Sequence, residues 1–217
     1  DFVGVMNEVQ GFTSAPAAAQ MFGGAGREHR WRYGTKKETF AQIAVKARRH
    51  AANNPFAIFN DVLSLEDILA SQEVFDPLTR LQCCPPTCGA AAAIVCSEDF
   101  ARKHGIASPI TVAAQAMTTD YPSTFGDKSM IQLVGFDMAK SAAQKVYEQA
   151  GIGPEDVDVV ELHDCFTANE LLSYEALGLC GEGEAEKFIW EGDNTYGGKF
   201  VTNPSGGLLS KGHPLGA

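Results

Sequence analysis

The chain has 217 residues, 45% of them hydrophobic, and a formal net charge of −10. That size and apolar share suit a folded protein of one or two domains and exclude a fibrous or disordered class. The acidic balance argues against nucleic acid as the main partner, and no uncharged apolar run approaches the roughly 20 residues of a membrane helix.

The opening residues, DFVGVMNEVQ, show no initiator Met, no basic n-region and no apolar h-region, so no secretion signal is expected. The closing KGHPLGA stops inside a glycine-rich turn, and the sequence reads as part of a longer protein. Residues 1–34, with FGGAG and scattered apolar residues, are expected to be loop-like. TKKETFAQIAVKARRHAANNP then predicts a helix. Thr35 and Glu38 fit a capping box, Phe40, Ile43, Ala44 and Ala47 share a face, and Asn53-Asn54-Pro55 ends it. SLEDILASQ predicts a short helix capped by Ser64. AAAAIVC (90–96) has no alternation and suits a strand buried on both faces. SEDFARKHG predicts a helix capped by Ser97 and ended by Gly105. ITVAAQAM (110–117) is a further predicted strand. A helix is expected over 136–150, closed by Gly151, and a strand over DVDVVEL (156–162). A helix opened by a Thr167–Glu170 capping box is expected to run to about Gly178. GKFVTN is a last short strand before NPSGGLLSKGHPLGA. Alternating strands and helices predict an α/β layered fold, in which ligands bind at the carboxyl ends of strands.

Three features carry chemistry. Between residues 27 and 50 the bases Arg27, Arg30, Arg32, Lys36, Lys37, Lys46, Arg48 and Arg49 face only Glu28 and Glu38. Such an island suits a small anionic ligand or simply a solvated helix face. Six cysteines, Cys83, Cys84, Cys88, Cys96, Cys165 and Cys180, read as reduced thiols. CCPPTC invites a zinc reading, but adjacent cysteines do not easily turn to one tetrahedral ion, and buried small side chains are the simpler expectation. The third feature is His163-Asp164-Cys165, placed where a predicted strand ends and a helix begins. Helix N–H groups favour negative charge there, so a thiol should lose its proton more easily. Taken alone, the triplet is equally consistent with a packed Cys165 and a capping Asp164. His213, held between Gly212 and Pro214 in a glycine-rich loop, has a fixed direction suited to proton transfer, although an ordinary turn with a surface His shares the pattern.

HDCF (163–166) and GHP (212–214), supported by NPSGG, GDNTYGGK, YEALGLC, QMFGGAG, LQCCP and GAAAAI, resemble the thiolase superfamily over nearly the whole chain. HDCF stands where other thiolases carry an Asn-initiated motif, which points to the sterol-carrier-protein type. The resemblance implies an α/β, layered αβαβα fold built of two similar halves. Residues 1–107 would be the end of the first half with its loop region, and residues 108–217 the start of the second. It implies thiolytic cleavage of a 3-ketoacyl-CoA by coenzyme A, giving a shortened acyl-CoA plus acetyl-CoA or propionyl-CoA. The family's nucleophilic Cys and last glycine-rich loop would lie outside residues 1–217. His213 would take the nucleophile's proton, His163 and His213 would form an oxyanion hole, and Cys165 would carry the acid–base step. Asp164 would orient a His. Arg27, Arg30, Arg32, Lys36 and Lys37 become candidate contacts to the phosphates of coenzyme A, and Ser205 and Gly206 candidate lining of the pantetheine channel. No permanent cofactor is implied. A homodimer is implied, in the peroxisomal matrix for eukaryotic members or the cytoplasm for bacterial ones. Two rivals stay open: a condensing enzyme using the same residues, and a non-catalytic thiolase-like lipid-binding or partner subunit. Family members usually have Asp before GAAA; Cys88 stands there, with an effect expected on loop packing only.

Overall fold

In the computed structural model, described over residues 1–107 and 110–214, helices surround short strand pairs. In chain order the elements are α1 (Phe2–Gln10), α2 (Ala17–Tyr33), α3 (Lys37–Ala51), α4 (Leu65–Ala70), β1 (Glu73–Phe75), β2 (Leu78–Thr79), β3 (Pro86–Thr87), α5 (Glu98–Lys103), α6 (Pro122–Gly126), α7 (Met130–Leu133), α8 (Phe136–Ala150), β4 (Val159–Val160), α9 (Thr167–Ala176), α10 (Ala185–Trp190), β5 (Val201–Thr202), α11 (Gly207–Ser210) and β6 (His213–Pro214). β1 and β2 form an antiparallel pair. β3 pairs with β6 and β4 with β5, both parallel. This is an α/β arrangement in which crossovers between parallel strands pass through helices.

Residues 1–34 are not loop-like: they form α1 and α2. The glycines that suggested a loop serve close packing. A Cβ on Gly23 would lie 2.6 Å from Phe75 Cδ1, and one on Gly26 would lie 3.2 Å from Pro77 and 3.3 Å from the Ala168 Cβ. Glycine costs about 0.5–1 kcal/mol in a helix, but here it lets α2 approach β1 and α9. Gly34, at φ 77°, ends the helix.

α3 begins at Lys37 without a side-chain cap. Thr35 instead bonds His29 Nδ1 at 2.8 Å, so the capping box expected with Glu38 is not formed. The Thr167–Glu170 box also fails. Thr167 is already helical and donates to Gln82 Oε1 at 3.0 Å, while Glu170 turns into the core. In both places a long-range partner outcompetes the local bond. Ser64 and Ser97 do cap α4 and α5, and Gly151 closes α8 in the left-handed conformation. The predicted strand over 156–162 shortens to β4. Helices α6, α7 and α10 were not foreseen; their apolar residues are too few to show a period.

Residues 90–96 and 110–117 form no strand and lie exposed; Ile94 is 101% accessible. A strand buried on both faces needs neighbours for its N–H and C=O groups, and among the described residues no sheet includes 90–96.

One core cluster joins Met6, Phe40, Ile43, Leu78, Met130, Phe166, Leu171, Tyr174, Phe188 and Leu209 from most helices. Through it runs a buried polar web. The Lys46 ammonium pairs with Glu170, and bonds Thr202 Oγ1 at 2.5 Å and the Tyr174 hydroxyl at 3.1 Å. Tyr174 also donates to Glu170 and accepts from Asn194 Nδ2 at 3.0 Å. Removing one partner of such a pair costs about 3–5 kcal/mol, because the other charge stays buried. The web locks α3, α9 and β5 together beneath the loop that holds residues 163–165.

Candidate active site

Two loops meet above that core. The first, residues 161–166, leaves β4 and enters α9. Asn203 fixes its start: Asn203 Oδ1 accepts the Leu162 N–H at 2.8 Å, and the Asn203 N–H donates to the Val160 carbonyl at 2.7 Å. Asn203 adopts φ 48°, a left-handed conformation that Asn tolerates better than most residues. The Asn169 side chain donates to the His163 carbonyl at 2.5 Å.

The second loop, residues 203–214, is tied to the first by Asp164. This fully buried carboxylate accepts the Leu208 and Leu209 N–H groups, at 2.7 and 3.3 Å. Gly207, at φ 62°, makes that approach possible, since a Cβ there would collide with Asp164 Oδ2. Asp164 bonds no His ring; it holds backbone of the segment that carries His213. Burial, then Glu170, lifts its carboxyl to about 7, against the two N–H bonds that favour the anion.

The CCPPTC segment stitches the two loops from the other side. Cys83 bridges Phe166 in antiparallel register, and the Cys84 N–H donates to the Cys165 carbonyl at 2.9 Å. Three residues on, Pro86 pairs with His213 and Thr87 with Pro214, and the His213 N–H donates to the Pro85 carbonyl at 3.2 Å. No group of three or more metal-ligating side chains occurs among the described residues; Cys83 and Cys84 pack against the core, while Cys88 is exposed.

The outcome is that His163 Nε2 and His213 Nε2, fifty positions apart, stand 3.1 Å from one another, with ring planes at 81°. Burial, then His213, lowers the His163 pKa, so this imidazole is neutral at neutral pH. His213 Nδ1 is buried without a hydrogen-bond partner among the described residues. Beside His163 opens a depression of about 200 Å³ lined by Val134, Phe136, Met138, Asn169 and Leu172.

Cys165 behaves differently. Its side chain is 5% exposed and belongs to the apolar core, and burial, with Cys84 and Asp164 nearby, raises its thiol far above the usual range. The expected easing of its proton loss is therefore reversed: desolvation outweighs the helix terminus. Behind it, Cys83, Cys84, Pro85, Pro86, Phe166 and Leu209 line a cleft of about 960 Å³ that also takes in Arg48, Phe59 and Arg80.

Half of the basic island, Arg30, Arg32, Lys37 and Lys46, is paired with carboxylates within the chain. Arg30 bonds Asp76 at 3.3 Å, Lys37 pairs with the same carboxylate, and Arg32 pairs with Glu28. Arg27 bonds Gln10 at 2.8 Å and sits 4.6 Å from the centroid of the Phe75 ring. Only the backbone N–H of Lys36 donates to Glu186, at 2.7 Å. Arg27 and Arg32 line a surface depression with Trp31 and Lys128, apart from the residues of the large cleft. Ser205 donates to Glu161 from both N–H and hydroxyl at 2.9 Å, and Gly206 packs on Ala51, where a Cβ would lie 2.6 Å away. Both hold the loop in place.

A family model for the thiolase C-terminal domain matches residues 123–217. The sterol carrier protein 2 of Rattus norvegicus is 58% identical over 216 residues, 99% of this chain and 40% of that protein. This chain belongs to the thiolase superfamily. The benzoylsuccinyl-CoA thiolase subunit BbsB of Thauera aromatica is 47% identical over 194 residues, covering 88% of this chain and 49% of that subunit. Among solved structures, the Ltp2-ChsH2(DUF35) aldolase superposes with a TM-score of 0.76 at 28% identity, over 90% of this chain and 51% of that one. The fold is thus thiolase-like α/β, and the chain spans about half or less of each of these thiolase-fold relatives. Both histidines meet inside this thiolase-like frame. Asp164, Gln82, Asn169 and Asn203 do the positioning, and the last three were not singled out beforehand. The Gly206-Gly207 doublet and the Asn that opens NPSGG were the available signals for two of these contacts.

Proposed function

We propose that this segment carries part of the active site of a thiolase-type acyltransferase, which cleaves a 3-ketoacyl-CoA with coenzyme A. The observation that carries the reading is the 3.1 Å approach of His163 Nε2 to His213 Nε2. Two imidazole Nε2 atoms this close can both serve an oxygen that gains charge as a carbon–carbon bond breaks, once the pair has taken up a proton and each presents an N–H. Each preorganised N–H donor is worth about 3 kcal/mol to such an oxyanion. The attacking thiolate, by the family resemblance, comes from outside these residues. The histidine pair takes up its proton and returns an N–H to the oxygen of the leaving enolate. Cys165, kept protonated by burial, is the proposed proton donor to the enolate carbon. The 960 Å³ cleft, with Phe59, Leu63, Val74 and Leu81 in its wall, has room for an acyl group. Arg27, Arg30, Arg32, Lys36 and Lys37 stay candidate contacts to the coenzyme A phosphates, on condition that their present partners release them. Residues 1–107 are proposed as the end of one thiolase half and residues 108–217 as the start of the other, the second supported by the family match from residue 123.

The second reading is a lipid-binding or partner subunit without turnover, favoured by the likeness to a protein named sterol carrier protein 2. One experiment separates the two. In the full-length protein carrying this segment, His213→Ala should lower the thiolysis rate about 10²–10³-fold with the fold intact. An unchanged rate removes His213 from the chemistry. No thiolysis in the unaltered protein, with acyl chains still bound, favours the second reading.

A further inference from the structure

Cys83 and Cys84 both border the 960 Å³ cleft. Their backbone runs antiparallel to residues 165 and 166, with Cys83 bridging Phe166 and the Cys84 N–H bonded to the Cys165 carbonyl at 2.9 Å. That bond sets the Cys84 backbone beside that of Cys165, which sits at a bend where the pairing stops. Backbones joined by such a bond hold Cα atoms about 5.5 Å apart in an antiparallel pair. Disulfides bridge Cα separations of about 4.4–6.8 Å. Cys83, one residue earlier, turns its Sγ to the Thr79 carbonyl at 3.4 Å, and its bridge partner is Phe166. Cys84 is the largest influence on the Cys165 thiol after burial itself.

We propose that Cys84 and Cys165 are a reversible disulfide site, oxidised by a small peroxide that enters through the cleft. Cys84 is half-buried at the cleft wall and is attacked first; Cys165, 5% exposed, is the resolving thiol. In the first step the Cys84 thiolate attacks one peroxide oxygen. The O–O bond breaks, hydroxide leaves, and Cys84 becomes a sulfenic acid. In the second step the Cys165 sulfur attacks the sulfenic sulfur, forming the S–S bond. The sulfenic hydroxyl departs with the Cys165 proton as water. In sum, two thiols and one hydrogen peroxide give one disulfide and two waters. Burial pushes the Cys84 thiol up to about 11. Its thiolate is therefore scarce at neutral pH, and the oxidation rate should rise about tenfold per pH unit on the alkaline side of neutrality. The link consumes the proton of Cys165. If Cys165 is the proton donor proposed above, oxidation also stops turnover, but the bond itself does not depend on that role.

The test treats the natively folded 217-residue chain with hydrogen peroxide at mildly alkaline pH, blocks remaining thiols by alkylation, and maps the digest by mass spectrometry. The expected product has lost two hydrogens and yields one cross-linked peptide pair joining residues 84 and 165, released by dithiothreitol. Cys83→Ser should keep the link, while Cys84→Ser and Cys84→Ala, each with unchanged circular dichroism, should abolish it. A link that survives Cys84→Ser or disappears in Cys83→Ser overturns the assignment. So does conversion of Cys84 to a sulfinic acid with the Cys165 thiol still free to alkylate.

Discussion

Residues 156–162 and residues 90–96 are both short apolar runs with a helix close behind, and they end in opposite conditions. Val159 and Val160 pair in parallel with Val201 and Thr202, and the chain beyond them is tied down within five residues by Asn203, Asp164 and Asn169. The run from Ala90 to Cys96 is the more apolar of the two, yet it lies exposed and outside the sheets. Apolar content sets what a segment can become. A strand appears only where another backbone meets its N–H and C=O groups, and a rigid loop only where long-range partners meet its own.

The contrast can be attacked at its strong end first. Gly207→Ala places a methyl group against Asp164 at a positive φ, with Asp164 itself held by two N–H groups. It should destabilise the chain by about 3 kcal/mol in urea unfolding. A change below about 0.5 kcal/mol would mean the two loops are not clamped together there. Next comes pH. Below the ordinary Asp value of 3.8 both folded and unfolded states hold the Asp164 proton; between 3.8 and about 7 only the folded state keeps it. The folded state then binds more protons, so Asp164 subtracts stability as pH rises through that window. His163 and His50, both lowered mainly by burial, act the other way, withdrawing stability as pH falls below 6.5. Subtracting the stability curve of Asp164→Asn from that of the unaltered chain cancels the histidines. The difference should slope downward between pH 4 and 7, and a flat difference would show the carboxylate titrating normally. The smallest effect belongs to the exposed run. Ile94→Ser, at a side chain 101% accessible, should change the stability of this chain by less than about 0.5 kcal/mol. A larger loss would reveal packing of residues 90–96 that the folded chain does not show.

Much of the site was legible beforehand because motif residues are local. HDCF and GHP each announce a histidine in a constrained backbone, and the family resemblance says the two belong together. Helices α3, α4, α5, α8 and α9 were legible from period and from stop signals such as Gly105 and Gly151. The supporting contacts were not. Thr35 and Thr167 look like caps in sequence, and only the nearness of His29 and Gln82 diverts them. The glycines of α2 look like a loop until Phe75, Pro77 and Ala168 are seen pressed against them. The ionisation of Cys165 was misjudged for a related reason: the helix terminus is visible in sequence, but the apolar wall around the thiol is not.

The amino-acid order alone determined helices α3, α4, α5, α8 and α9, the stops at Gly105 and Gly151, and the identity of the two imidazoles, because each depends on neighbours within a few residues. Only the tertiary structure decided that His163 and His213 face one another at 3.1 Å, that Asp164 clamps the second loop, and that Cys84 stands across from Cys165. Those outcomes depend on burial and on pairings between residues 44 to 81 positions apart, and no local pattern encodes them.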